Sequence, residues 1–220
     1  MAPYYDRDGV TIYHGDCREV LPTVDPDEFA VMVTDPPYGL AYRSNMKNTV
    51  EDYRQEIDGD LDTALRDHVL GWWGDRPALV FGSWKVARPA NTRHVLTWDK
   101  GDAAGMGDLS IPWKPNTEEV YVLGSGFEGH RGSSIIRGHV VTWASKGRTH
   151  PHAKPVGVIH ALLAKSPPGP VLDPFMGSGP VAQACHELGR RYIGIELVED
   201  YCRIAVSRLA QQTLNFDEAS

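Results

Sequence analysis

Cysteine is scarce: Cys17, Cys185 and Cys202 are an odd, scattered set with no closely spaced pair. That spacing excludes a disulfide framework and a zinc knuckle and makes reduced thiols the expectation. Long apolar runs are missing as well, since no stretch approaches the roughly 18 residues that cross a bilayer. The first residues, Met1 to Asp6, lack a basic region followed by an apolar one. A soluble, cytoplasmic protein without a membrane partner is therefore expected. Positive charge is also short. The net charge of -7 argues against a generic coat for phosphate backbones, which needs Lys and Arg in excess. Its distribution softens that objection: residues 81–148 carry nine Lys and Arg against six acids. A mixed solvated surface explains this stretch as well as a DNA face does. His14, His160 and His186 have no ligand spacing among themselves, so no metal site is expected. Neither repeats nor a linker divide the 220 residues, and one domain spanning 1–220 is the expectation.

What is present is a succession of apolar, β-branched runs ending in turn chemistry, the pattern of buried parallel strands. The clearest are Val10 to Tyr13, Phe29 to Val33, Ala78 to Phe81, Val95 to Trp98, Val120 to Leu123, Val171 to Leu172 and Tyr192 to Ile195. Helical patterns lie between several of them. Val156, Ile159, His160 and Leu163 share a face, Val181 to Leu188 ends at a capping Gly189, and Val198 to Leu209 fits a further helix. Alternation of this kind predicts an α/β fold with a mostly parallel sheet. The stretch Gly39 to Asp60, with little apolar period, reads as a long mobile loop; Gly101 to Pro115 and the glycine-rich Gly124 to Gly138 also read as irregular.

Two strand ends carry chemistry. Val171-Leu172-Asp173-Pro174-Phe175-Met176-Gly177-Ser178-Gly179-Pro180 spells a strand, a glycine-rich turn and a helix start, with Pro180 suited to the first helical turn. Glu196, closing the next strand, is placed to accept both hydroxyl hydrogens of a ribose. By itself this predicts a nucleoside-containing cofactor, and the relaxed nicotinamide fingerprint fits Gly177, Gly179 and Ala182 equally. The second end is Thr34-Asp35-Pro36-Pro37-Tyr38. Two prolines hold Asp35 extended and remove two backbone donors, leaving a stiff segment rich in acceptors. The Asp35 carboxylate and the Pro36 carbonyl suit the two hydrogens of a base amine. Tyr38 suits the base face, where stacking contributes on the order of 1–3 kcal/mol. The same four residues are also common in plain turns.

Together these motifs resemble the amino-methyltransferases of DNA, in which a DPPY-type motif holds the target base and an FxGxG motif holds S-adenosylmethionine. The catalytic motif comes first here, which is similar to the permuted beta class of bacteriophage and restriction-modification enzymes. His150-Pro151-His152-Ala153-Lys154-Pro155, a helix and then Asp173 to Gly179 resemble the family's HPTQKP, helix, DPFxGSG succession. The resemblance covers Ile12 to Leu209 and implies a Rossmann-like methyltransferase fold with a small target-recognition insertion over about 101–148. It implies catalytic roles for Asp35, Pro36, Pro37 and Tyr38. It also implies a cofactor site of Lys154 and Pro155 beside the methionine, Asp35, Asp173, Phe175, Met176, Gly177, Ser178 and Gly179 around it, Glu196 at the ribose, and Leu197. Asp16 would lie near the cofactor adenine, with Cys17 also in the cofactor site, although Asp16 with Glu19 three residues on also spells a helix capping box. His152 and Ala153 depart from the usual Thr-Gln pair, and Pro180 replaces a more usual Thr.

The implied reaction is direct methyl transfer from sulfur to an exocyclic amine, adenine by the Asp that opens the motif, in double-stranded DNA with the base flipped out. No nucleophilic cysteine is needed. Cytosine is the other amine substrate, for which Ser more often opens the motif; RNA or protein methylation usually reverses the motif order. A silent nucleic-acid-binding subunit would be expected to have a damaged motif, and Asp35 to Tyr38 is intact. So short a recognition region implies a short target or help from a second subunit, such as a homodimer.

Overall fold

A computed structural model describes residues 1–37, 62–102, 107–138 and 154–217. Among the described residues nine strands form one sheet: β1 (Tyr5–Arg7), β2 (Val10–His14), β3 (Val31–Thr34), β4 (Ala78–Gly82), β5 (His94–Asp99), β6 (Thr117–Leu123), β7 (Ile135–Arg137), β8 (Val171–Asp173) and β9 (Tyr192–Glu196). Their spatial order is β1-β2-β9-β8-β3-β4-β6-β5-β7. Only β1 and β6 run against the rest, so the sheet is mostly parallel, as expected.

Helices cover both faces because successive strand residues point to opposite sides. Val31 and Val33 of β3, with Leu79 and Phe81 of β4, join the core under α3 (Val156–Leu163), α4 (Pro180–Glu187) and α5 (Glu199–Asp217). The alternate residues Met32, Ala78 and Val80 join the core under α1 (Cys17–Val20) and α2 (Ala64–Trp73), where Val69 and Trp73 are buried. Among the described residues no helix is long and apolar enough to cross a membrane.

Most expected elements form with ends shifted by a residue or two. β3 starts at Val31 rather than Phe29 and runs on to Thr34, and β6 takes in Thr117 to Glu119 ahead of the apolar run. Gly189, at φ +62°, follows α4 as expected of a C-terminal cap, and Pro180 is its first residue. The stretch Gly124 to Gly138, expected to be irregular, contains β7, which pairs with the edge of β5 through three residues. The expected mobile loop Gly39 to Asp60 lies outside the described residues.

The topology fixes where a site can form. From β3 the chain moves outward to β4, whereas from β8 it moves the opposite way to β9. Connections therefore diverge between β3 and β8, the kind of switch point at which α/β sheets hold their ligands in a crevice beyond the carboxyl ends of the strands.

Candidate active site

Asp35 and Asp173 stand at the two lips of that crevice. Thr34, the last residue of β3 and buried, donates its hydroxyl hydrogen to Asp173 Oδ1 at 2.8 Å. Tyr192 donates to Asp173 Oδ2 at 3.2 Å, and the Phe175 amide to Oδ1 at 3.2 Å. Burial pushes the Asp173 carboxyl up to about 7 against the pull of these donors, and the neighbouring Asp35 charge adds to the rise.

The turn that follows carries the features of a ligand cradle. Gly177 has φ +55°, and a Cβ built there would meet nothing within 4 Å, so the backbone faces open space. Gly179, at φ +77°, is the N-cap of α4; a Cβ there would stand 2.7 Å from that of Ala205. The buried Ser178 hydroxyl has no hydrogen-bond partner among the described residues. Met176 is buried and Phe175 half-buried. Glu196, at the end of β9, accepts the Gly177 amide on Oε2 and the Val198 amide on Oε1, both at 2.8 Å. Burial raises its carboxyl above the usual range, opposed by those amides.

On the other lip, Asp35 meets Lys154, whose Nζ lies 2.9 Å from Asp35 Oδ2. Lys154 precedes α3, with Pro155 at the N-cap, and its side chain is 8% exposed against 32% for Asp35. Pro36 is buried and Pro37 half-buried. A buried ammonium must be paired. A second carboxylate supplies the pairing: Glu118 Oε2 lies 2.9 Å from Lys154 Nζ, and Glu118 Oε1 lies 3.1 Å from Lys100 Nζ. Two rings flank the same ammonium, Phe81 at 5.1 Å and Trp98 at 5.8 Å from their centroids, within the range of a cation–π contact. Burial pushes the Glu118 carboxyl up, but the two ammoniums outweigh it and hold the carboxyl below its usual range.

Asp16, Cys17 and Leu197 lie at the neighbouring strand ends, beyond β2 and β9. Asp16 caps α1 by accepting the Arg18 amide at 2.8 Å and also binds the Arg18 Nε at 3.0 Å. The cap therefore goes to Arg18 rather than to the Glu19 amide of a capping box. Cys17 is buried, and burial pushes its thiol up to about 11, leaving it inert at neutral pH. Leu197 is exposed, and its carbonyl lies 3.1 Å from His14 Nε2. Tyr38 and residues 150–153 lie outside the described residues.

The crevice thus gathers Asp35, Lys154, Asp173, the 174–179 turn and Glu196. Thr34 and Glu118 were missed in the sequence. Their signals are a hydroxyl residue ending an apolar strand and an acid pair, Glu118-Glu119, opening one.

A family model described as DNA methylase, covering N6 and N4 methyltransferases, matches residues 89–207, more than half of the chain. The chain is 49% identical to the type II methyltransferase M.Cfr9I of Citrobacter freundii, over 96% of this chain and 91% of that one. It superposes on the PvuII DNA methyltransferase, named as cytosine-N4-specific, with a TM-score of 0.68 at 14% identity, covering 94% of this chain and 88% of that one. The complex of M1.HpyAVI with its S-adenosylmethionine gives a TM-score of 0.62 at 20% identity over 90% and 99%. This chain belongs to the N6/N4 DNA methylase family of restriction-modification methyltransferases.

Proposed function

We propose that the protein methylates the exocyclic amine of an adenine flipped out of double-stranded DNA, with S-adenosylmethionine as donor. Family membership makes it an S-adenosylmethionine-dependent DNA methyltransferase and disposes of the nicotinamide reading of the glycine turn. The observation that carries the amine assignment is Asp35, an acceptor at the lip of the crevice and across Thr34 and Asp173 from the glycine turn, and the choice of adenine rests on the Asp that opens the motif.

The crevice fits the cofactor. The open space at Gly177, the Ser178 hydroxyl without a partner among the described residues, and the paired oxygens of Glu196 are what a nucleoside and its amino-acid tail would engage. Glu196 would hold the ribose, Phe175 to Gly179 would wrap the donor, and Lys154 with Pro155 would border its methionine end. Bound S-adenosylmethionine supplies an electrophilic methyl on a sulfonium. The chain's own work is alignment: Asp35 and the Pro36 carbonyl accept the two amine hydrogens and turn the nitrogen lone pair toward that methyl. A neutral base amine is too weak an acid to be deprotonated first, so Asp35 acts as acceptor while positive charge develops on nitrogen and the proton leaves afterwards. Cysteines take no part, in keeping with the buried Cys17 thiol.

Recognition is assigned to the parts of residues 101–148 that lie outside β6 and β7. β5 ends and β6 begins at the carboxyl edge of the sheet, with Asp99 opposite Thr117. On the connection between them Leu109, Ile111 and Trp113 are 77%, 53% and 75% exposed. So small a region suits a short target read by one subunit or shared between two in a homodimer.

Expression in a methylation-deficient bacterium, followed by modification-sensitive sequencing, tests the assignment. Modified adenine amines in one short context are expected. Modified cytosine amines would transfer the assignment to that base, and unmodified DNA alongside folded protein would overturn it.

A further inference from the structure

We infer that Glu118 is a positioning residue for methyl transfer, acting on Asp35 through Lys154. The inference rests on the catalytic role proposed for Asp35. Four side chains from four separate elements form one line of alternating charge: Asp35 after β3, Lys154 before α3, Glu118 on β6 and Lys100 after β5. Each adjacent pair lies between 2.9 and 3.1 Å apart.

The sharing of Lys154 is the functional feature. A lysine has a flexible four-carbon stem, and its ammonium is a compact charge that takes whatever position its partners impose. Here Phe81 and Trp98 bound the ammonium on one side, and Trp98 is itself fixed by its indole N–H, donated to the Gly138 carbonyl at 2.7 Å. Glu118 and Asp35 then divide the charge. Were Asp35 the sole carboxylate on Lys154, the ion pair would draw its electron density toward the ammonium and weaken it as an acceptor for a base amine. Glu118 takes part of that charge and holds the ammonium at one Asp35 oxygen, which fixes the rotation of the carboxylate about its own bond. Lys100 on the far oxygen of Glu118 keeps the second carboxylate ionised and in place.

Replacing Glu118 by Gln keeps its shape and removes its charge. The two lysines then lose their shared anion, and more of the Lys154 charge falls on Asp35. The cost should fall mainly on the transfer step, because the cofactor turn and Glu196 make no contact with Glu118 among the hydrogen bonds and ion pairs described above, and Lys154 itself is retained beside the methionine end.

The test measures single-turnover transfer of labelled methyl from S-adenosylmethionine to genomic DNA of a methylation-deficient bacterium, with cofactor affinity and melting temperature recorded beside it. Glu118→Gln is expected to slow transfer about tenfold or more with a much smaller change in cofactor affinity, and Glu118→Gln combined with Lys154→Gln to be no slower than Lys154→Gln alone. Non-additivity separates action through Lys154 from a general loss of stability, whose effects would multiply. Full rate in Glu118→Gln, multiplying losses, or a loss confined to cofactor affinity would overturn the inference. Should Glu118→Gln fail to fold, Glu118→Asp keeps the charge but shortens its reach; it is expected to fold with an intermediate rate, and full rate there overturns the inference equally. Asp35→Ala separates the two claims: if it retains wild-type rate, the proposed catalytic role falls, whereas an inactive Asp35→Ala beside an unimpaired Glu118→Gln removes only the positioning role.

Discussion

Thr34 and Asp173 lie 139 residues apart in sequence, yet a 2.8 Å hydrogen bond joins the last residue of β3 to the last residue of β8. That bond couples the lip that carries Asp35 to the lip that carries the glycine turn. Replacing Thr34 with Val keeps the shape and removes the donor. The buried carboxylate then loses one of its three hydrogen bonds, a loss of about 1–3 kcal/mol of stability. Denaturant unfolding should report it as an earlier midpoint with an unchanged slope; an unchanged midpoint would refute the coupling.

Asp173 makes stability depend on pH in an unusual direction. In the unfolded chain an aspartate gives up its proton near pH 4, whereas burial holds this one to about 7. Between those values the folded chain binds more protons than the unfolded one, so stability falls as pH rises through that window, by at most about 1.4 kcal/mol per pH unit. Asp173→Asn preserves the acceptor for Thr34 and Phe175 and turns the third contact into a donor toward the Tyr192 oxygen. Melting temperatures of the variant should decline less than those of wild type between pH 4 and 7. Parallel curves would show that Asp173 does not titrate in that window.

The fold was legible in the sequence wherever burial imposed a pattern. Strands such as Ala78 to Gly82, buried at all five positions, write themselves as apolar runs. β7 escaped notice because it has three residues at the sheet edge, mostly exposed, within a glycine-rich stretch. α2 escaped although Leu65, Val69 and Trp73 recur every four residues, since Gly71 and a tryptophan pair interrupt the pattern. At the site, contiguous motifs were readable, because a turn of specified shape needs consecutive residues. Glu118 and Lys100 were not: Glu118 reaches Lys154, and Lys100 reaches Glu118, only through the pairing of β5 with β6 and the placement of α3, and a long-range ion pair leaves no local signature.

Glu196 is the residue on which cofactor affinity should depend most. Its carboxylate is expected to exchange amide partners for ribose hydroxyls, and Glu196→Ala removes two hydrogen bonds of about 0.5–1.5 kcal/mol each. Calorimetry should find S-adenosylmethionine affinity weakened about fivefold to a hundredfold or more. Unchanged affinity in folded protein would reject the ribose assignment.

Trp113, 75% exposed beside Lys114, has no packing role to lose. Trp113→Ala should leave the melting temperature unchanged while weakening binding to duplex DNA by the value of one base stack, about 1–3 kcal/mol. A fluorescence titration with the mapped target measures it. Equal affinity with and without the ring would remove this loop from the DNA face.

Asp35→Ala should abolish methyl transfer while leaving cofactor affinity largely intact. The Glu196 contacts and the glycine turn belong to β8 and β9, whereas Asp35 belongs to β3 and to the amine. Without its carboxylate, one amine hydrogen is buried with no acceptor and the nitrogen is free to turn away from the methyl, so both alignment and charge stabilisation are lost. The variant also strips Lys154 of one partner, yet Glu118 remains to hold the ammonium, so the protein should fold. Tyr38→Phe should keep substantial activity by comparison, because an aromatic face stacks on a base with or without the hydroxyl. The order of the two effects is the decisive measurement: folded, cofactor-binding Asp35→Ala protein that methylates DNA near the wild-type rate would show that the amine is held by some other group.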